Sequence, residues 1–169
     1  KLPVFDEHST GARPGKSPLK NVGRHKESRF FFLLDLKSAY QQVDITRLGK
    51  ILYLLSTRGG LFSDLAESTE ELIVFLQKYC TSQFGDIPIG APASPDLFNI
   101  YAIELLDKPL SALLCHERIT YTRYLDDLVF SSSTRPIGKR MRQRIRQVVQ
   151  EAGFPISHHK CQVLDLQKG

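Results

Sequence analysis

The chain has 169 residues, of which 41% are apolar and 24% charged, with a net charge of +5; this is ordinary globular usage and excludes disordered, collagen-like and coiled-coil chains. At about 100–200 residues per domain it holds one compact domain or part of a larger protein, not two. No apolar run approaches the roughly 20 residues that span a bilayer, and residues 1–15 contain no hydrophobic stretch of the secretion-signal kind, so the expectation is a soluble, intracellular, cytoplasmic protein with no membrane partner.

Residues 1–29 carry Pro3, Gly11, Pro14, Gly15, Pro18 and Gly23, which predicts irregular or only partly helical chain. Phe30 to Leu34 is an unbroken apolar run suited to a buried central strand, and Asp35 ends it. Residues 38–56 give mixed, partly helical signals. Gly59-Gly60 predicts a turn between two short strands within 58–62. Ser68 with Glu71 three positions later is a capping-box pattern that opens a helix through Leu72, Ile73, Phe75, Leu76 and Tyr79, ending near 81–85.

The three prolines and one glycine of Ile87–Pro95 force a loop. Ser94 is placed to cap, and Pro95 to take the first position of, an amphipathic helix carrying Leu97, Phe98, Tyr101, Ala102, Leu105 and Leu106. Ile119–Leu125 and Leu128–Ser132 read as the arms of a hairpin with Asp126-Asp127 at its tip. Ile137, Met141, Ile145, Val148, Val149 and Ala152 recur at helical spacing. Gly153 stops that helix, and short strands follow at 154–157 and 162–166.

Charge and cysteine placement add two expectations. Residues 1–29 carry seven Lys/Arg against Asp6, Glu7 and Glu27, and residues 135–147 carry six with no acid, which leaves the middle of the chain acidic. Basic ends around an acidic centre suit a protein that holds a polyanion, although in 135–147 the arginines are also what the outer side of an amphipathic helix carries. Cys80, Cys115 and Cys161 are odd in number and widely spaced, so they are expected to be small buried hydrophobes rather than a disulfide or zinc framework.

The acids are the chemically informative residues. Adjacent carboxylates repel, and burial removes their hydration, so Asp126-Asp127 is costly unless a cation or hydrogen-bond donors offset it. If the strand ending in Asp35 lies beside the hairpin, carboxylate oxygens converge at one sheet edge, as two Mg²⁺ ions about 3.5–4 Å apart require. That arrangement implies nucleotidyl transfer or phosphodiester hydrolysis.

Five ordered motifs then carry a resemblance. Phe32-Leu33-Leu34-Asp35-Leu36-Lys37-Ser38-Ala39-Tyr40, Gly90-Ala91-Pro92-Ala93-Ser94-Pro95 followed by Leu97 and Asn99, Tyr124-Leu125-Asp126-Asp127, Gly153-Phe154-Pro155-Ile156-Ser157 with Lys160, and Gly15-Lys16-Ser17 with Asn21 and His25 together resemble the palm of a reverse transcriptase, nearest the bacterial retron and group II intron lineage. The resemblance implies an α+β fold: an antiparallel palm sheet with helices packed on one face over 30–169, a fingers remnant over 1–29, and the thumb and earlier fingers strands absent. It implies RNA-directed DNA polymerisation on an RNA template from a DNA or RNA primer with deoxynucleoside triphosphates, using two Mg²⁺ or, in their place, Mn²⁺.

Residue by residue, it implies that Asp35 and Asp126 bind both metals, with Asp127 and the carbonyl of Leu36 in support. Tyr40 excludes a 2′-hydroxyl, Lys160 meets the leaving pyrophosphate, and Ile89 and Gly90 border the nucleotide. Ala91, Pro92 and Ser94 approach the nascent pair, and Arg13, Lys16 and His25 touch template or nucleotide. His158 and His159 are expected to be solvent-exposed. Ile89 stands where relatives usually carry Gln, as in error-prone members of the family. The rival readings are template-independent addition, as in phage-defence relatives, and a non-catalytic nucleic-acid scaffold; missing segments or an accessory protein are further possible partners.

Overall fold

Phe30–Asp35 forms β1, whose Phe-Phe-Phe-Leu-Leu composition suits a central place between two strands; Phe32 and Leu34 are buried and Phe30, Phe31 and Leu33 half-buried. The computed structural model describes residues 9, 11, 17–59 and 66–166. Within them β1 lies between β3 (Asp127–Ser132) and β4 (Gln162–Asp165), and β2 (Thr120–Tyr124) flanks β3, giving an antiparallel sheet of order β2-β3-β1-β4.

Register fixes the two faces. Phe32 pairs with Phe130 and Phe130 with Tyr121, while Leu34 pairs with Leu128 and Leu128 with Arg123. All six are buried on the side that faces the helices. Successive residues alternate sides, so Leu33, Asp35, Asp127, Val129, Thr122 and Tyr124 share the other face.

The helices follow from local signals. In α1 (Pro18–Gly23) Pro18 opens the helix and the Ser17 hydroxyl accepts from the Lys20 amide at 3.3 Å. The Asp44 carboxylate accepts from the Arg47 amide at the start of α2 (Ile45–Gly59). In α3 (Thr69–Tyr79) Ser68 caps as expected, its hydroxyl accepting from the Glu71 amide at 3.1 Å, while the Glu71 carboxylate reaches the Glu67 amide. The long central helix is α4 (Ser94–Ala102), a π-helical turn at Ile103–Asp107 and α5 (Lys108–Leu114). It presses Phe98, Tyr101, Ala102, Leu106 and Leu110 into the core. The basic α6 (Lys139–Glu151) buries Ile145 and Val149, and Gly153 ends it at φ +92.

Several expectations are corrected. Helix α2 runs through Gly59, so no strand precedes the predicted turn at 58–62, and Gly60 lies outside the described residues. Asp127 is the first residue of β3, not part of the hairpin tip. Residues 154–157 make one bridge, Leu36 to Ile156, not a strand, because the chain turns at once into a 3₁₀ turn at His158–Lys160. Ser94 begins α4 instead of capping it, and its hydroxyl donates to the Pro88 carbonyl at 2.7 Å. Cys115 is exposed, and Cys80 and Cys161 are half-buried. Arg146 lies along the core, over the ring of Phe32 at 5.0 Å, so that arginine is not on an outer face. His158 and His159 are exposed, as expected.

Phe130 is fully buried, stacked on Tyr121 at 4.9 Å and beside Phe32 at 5.9 Å. Phe130→Ala is expected to cost about 3–5 kcal/mol in chemical denaturation, since it leaves a cavity between two pairing strands.

His25 sits under the sheet face opposite the helices, 5% exposed, its Nδ1 at 2.6 Å from the Ser131 hydroxyl and its Nε2 at 2.7 Å from the Thr122 hydroxyl. It therefore braces α1 against the sheet instead of facing a template. Burial, with the charge of Arg24 adding, pulls its pKa from 6.5 to about 4. The unfolded chain binds that proton first, so the contribution of His25 is complete above pH 6.5 and is lost as pH falls toward 4. Urea midpoints should fall between about pH 7 and about pH 5, and the fall should shrink in His25→Gln.

Candidate active site

The register of β1 with β3 places Asp35 opposite Asp127, and that of β2 with β3 places Tyr124 opposite Asp127. The side chains of these three residues lie on the sheet face away from the helices. A two-residue turn, Leu125-Asp126, joins β2 to β3, with Leu125 left-handed at φ 53. Hairpins ordinarily put Gly in that conformation, and holding a leucine there costs on the order of 1–3 kcal/mol that the surroundings must offset. Backbone bonds fasten the turn to the end of β1: the Leu36 amide donates to the Asp126 carbonyl at 3.0 Å. The chain after α6 fastens β1 in the same way, with the Ser157 amide donating to the Asp35 carbonyl and the Lys37 amide to the Pro155 carbonyl, each at 2.8 Å.

A groove of about 440 Å³ opens here, lined among others by Asn21, Leu33, Asp35, Tyr124, Asp127 and Lys160. Asp35 is buried in its wall, and the Lys160 ammonium donates to Asp35 Oδ1 at 2.7 Å. That hydrogen bond, with the attraction of the same carboxylate, raises the Lys160 pKa. Burial raises the Asp127 pKa, and repulsion from Asp126 and Asp35 raises it further, while Lys160 pulls it down. Three carboxylates thus feel one another across two strands, with one lysine as counter-charge. Among the described residues no group of three or more His, Cys, Asp or Glu side chains is placed to hold a metal ion; one carboxylate oxygen of Asp35 is occupied by Lys160.

Tyr40 follows Ser38, which is left-handed at φ 52. Its ring is half-buried and stacks on Phe98 at 5.0 Å. Burial, followed by the charge of Asp126, pushes its hydroxyl pKa up, so the phenol feels the Leu125-Asp126 turn. Ile89 is 75% exposed. Gly90 adopts φ +91, and Ala91 accepts from the Ser94 amide at 3.1 Å, so this loop is a tight, small-residue shelf at the start of α4. The structure brings Asp35, Asp127 and Lys160 together around one groove and ties Leu36, Asp126 and Tyr40 to its rim. The loop from Ile89 to Ser94, Pro92 included, stands apart from it, and His25 is internal. Arg13 and Lys16 lie outside the described residues.

The sequence reading overlooked what lies beneath the turn. Arg123 is fully buried and pairs with the fully buried Asp107. A bulky cation in mid-strand and an acid on the apolar side of a helix were signals available in the sequence, but neither announces its partner.

Residues 1–168 match the family model described as reverse transcriptase (RNA-dependent DNA polymerase). The retron Mx162 reverse transcriptase of Myxococcus xanthus is 31% identical over 96% of this chain and 36% of its own length. The retron Ec73 reverse transcriptase of Escherichia coli is 26% identical over the whole chain and 54% of its own length. This chain therefore spans roughly a third to a half of such relatives. Among solved structures, apo telomerase from Candida tropicalis truncated of its C-terminal domain superposes with a TM-score of 0.61 at 14% identity, covering 96% of this chain and 37% of that one. At that identity the likeness speaks for the fold.

The electrostatics predict one outcome directly. Lys160→Met removes the pull that lowers the Asp127 pKa, so Asp127 is expected to titrate higher still, as read by ¹³C carboxyl chemical shifts across a pH series.

Proposed function

The chain belongs to the reverse transcriptase family, in its bacterial retron lineage, and from that premise we propose that it carries the nucleotidyl-transfer centre of an RNA-directed DNA polymerase. The observation that carries this reading is the pairing of Asp35 with Asp127 at the ends of two strands beside an open groove, with Asp126 in the adjoining turn and Lys160 seated on Asp35.

The donor set suits hard divalent cations. It is all oxygen, it is crowded with negative charge, and an ammonium already occupies part of it. Asp35, Asp126 and Asp127, with the Leu36 carbonyl, are the groups to hold Mg²⁺ or Mn²⁺. Such ions supply Lewis acidity toward a primer 3′-hydroxyl and neutralise charge on a triphosphate.

The remaining work falls to the chain's own side chains. The Lys160 side chain is 67% exposed, so it can leave Asp35 and turn its ammonium toward departing pyrophosphate, donating a hydrogen bond as negative charge grows there. The Tyr40 ring, fixed against Phe98, forms a flat wall with no room for an added hydroxyl, and so selects deoxynucleotides over ribonucleotides. The bond from the Leu36 amide to the Asp126 carbonyl keeps the two aspartate-bearing strand ends from separating while a template and primer lie across them. RNA template and DNA or RNA primer are the corresponding partners. Residues 1–29 serve as a fingers segment and 30–169 as the palm.

The test is primer extension on a defined RNA template with Mg²⁺, in the full-length protein. Products ordered by the template, reduced to background by Asp126→Ala, are expected. Tyr40→Ala is expected to admit ribonucleotides with deoxynucleotide incorporation retained. Products that ignore the template would transfer the assignment to a template-independent nucleotidyltransferase, and unchanged extension by Asp126→Ala would remove that residue from the centre.

A further inference from the structure

A buried cation connects the two halves of the site. Arg123, fully buried in β2, donates through Nε to both carboxylate oxygens of Asp107 at 2.9 and 3.1 Å and through one terminal nitrogen to Oδ2 at 2.8 Å. Its other terminal nitrogen donates to Asn99 Oδ1 and to the Leu125 carbonyl, each at 3.0 Å. The same guanidinium lies over the Phe98 ring at 5.4 Å, and Tyr40 is stacked on Phe98.

We propose that Arg123 is a positioning residue for catalysis: by clamping the Leu125 carbonyl and supporting Phe98, it holds the turn that carries Asp126 at a fixed distance from the Tyr40 wall. Three observations support this. First, the turn needs a clamp, because Leu125 is left-handed without being glycine. Second, the partner is deliberately placed. Asp107 is the last residue of the π-helical turn, whose wider winding shifts the helix phase and turns the carboxylate into the buried layer beside Asn99. The Tyr121 hydroxyl donates to Asp107 at 2.7 Å, fixing its orientation. Third, stability does not explain the pair, since an ion pair this deeply buried is commonly no better than apolar residues of similar volume. What an apolar replacement cannot supply is a rigid fork that bonds a helix carboxylate, a helix amide and the turn carbonyl at once.

The inference deepens the polymerase reading and rests on it for its kinetic readout, so the experiment includes a readout independent of activity. In the full-length protein, the triple variant Arg123→Met, Asp107→Leu, Tyr121→Phe removes the network without leaving a buried charge. Circular dichroism and thermal unfolding report whether it folds. Folded, it is expected to lose about 100-fold in kcat with the deoxynucleotide KM little changed. It should also show faster hydrogen exchange at the Leu36 amide, whose acceptor is the Asp126 carbonyl, with the β1 amides unaltered.

Arg123→Lys keeps the charge but not the fork, so it is expected to fold, show the same exchange signature and recover only a small part of the rate. It serves alone should the triple variant fail to fold. Wild-type kcat and Leu36 exchange in either folded variant would overturn the proposal while leaving the polymerase reading intact. A wild-type protein that extends no primer would instead fail the polymerase reading, and the Leu36 exchange would still decide whether Arg123 sets the turn.

Discussion

The antiparallel register of β1 against β3 is the constraint on which the rest of the site depends. It pairs Phe32 with Phe130 toward the helices and Asp35 with Asp127 toward the groove. Because side chains alternate across a strand, a slip of one residue would turn Asp35 into the apolar layer and bring Leu34 into its place. The core and the site therefore specify the same register. Burying Phe32, Leu34, Leu128 and Phe130 is the same event as presenting the aspartates.

That coupling explains how a costly arrangement persists. Three carboxylates at adjacent strand ends repel one another, and desolvation, with repulsion from Asp126 and Asp35 added, pushes the Asp127 pKa up. The sheet does not relieve this by separating its ends, because backbone bonds from Leu36 to Asp126 and from Ser157 to Asp35 hold them together. The compensation is electrostatic: Lys160 from the turn after α6 supplies one positive charge. On the proposed reading, a bound cation would offset the repulsion that the scaffold keeps in place.

The two sides of the sheet divide the work. On the groove side the charges are partly solvated and exchangeable: Lys160 is a mostly exposed side chain on a single carboxylate. On the helix side the charges are fully buried and multiply bonded, with Arg123 fixed to Asp107. There burial would lower the guanidinium pKa, and the Asp107 carboxylate more than offsets it, so Arg123 stays charged. A mobile cation suits a group that must change partners, and an immobile one suits a group that must not move. The chain spans 36% and 39% of the length of two retron reverse transcriptases that it matches.

Much of this was legible in the sequence. The apolar run at Phe30–Leu34, the Ser68 cap, the amphipathic helix after Pro95 and the hairpin before Leu128 all rest on local rules of burial and capping, and each formed. The aspartates stand out for the same reason, since a carboxylate that ends an apolar strand is out of keeping with its neighbours, and the pairing of β1 with β3 sets Asp35 opposite Asp127. What the sequence could not decide depends on distant pairing. The strand expected at 154–157 fell short because the chain turns at once into the 3₁₀ turn at His158–Lys160, which leaves one bridge to Leu36. His25 became an internal brace because β2 and β3 present two hydroxyls to it, and the cysteines stayed outside the deep core because larger side chains filled it. The network of Arg123, Asp107 and Asn99 joins β2 to two turns of one long helix across a sheet layer, and only the π-helical turn brings the carboxylate into phase. Composition and spacing determine which groups are available; which of them meet is set by packing, because contacts between distant residues exist only after the layers have closed.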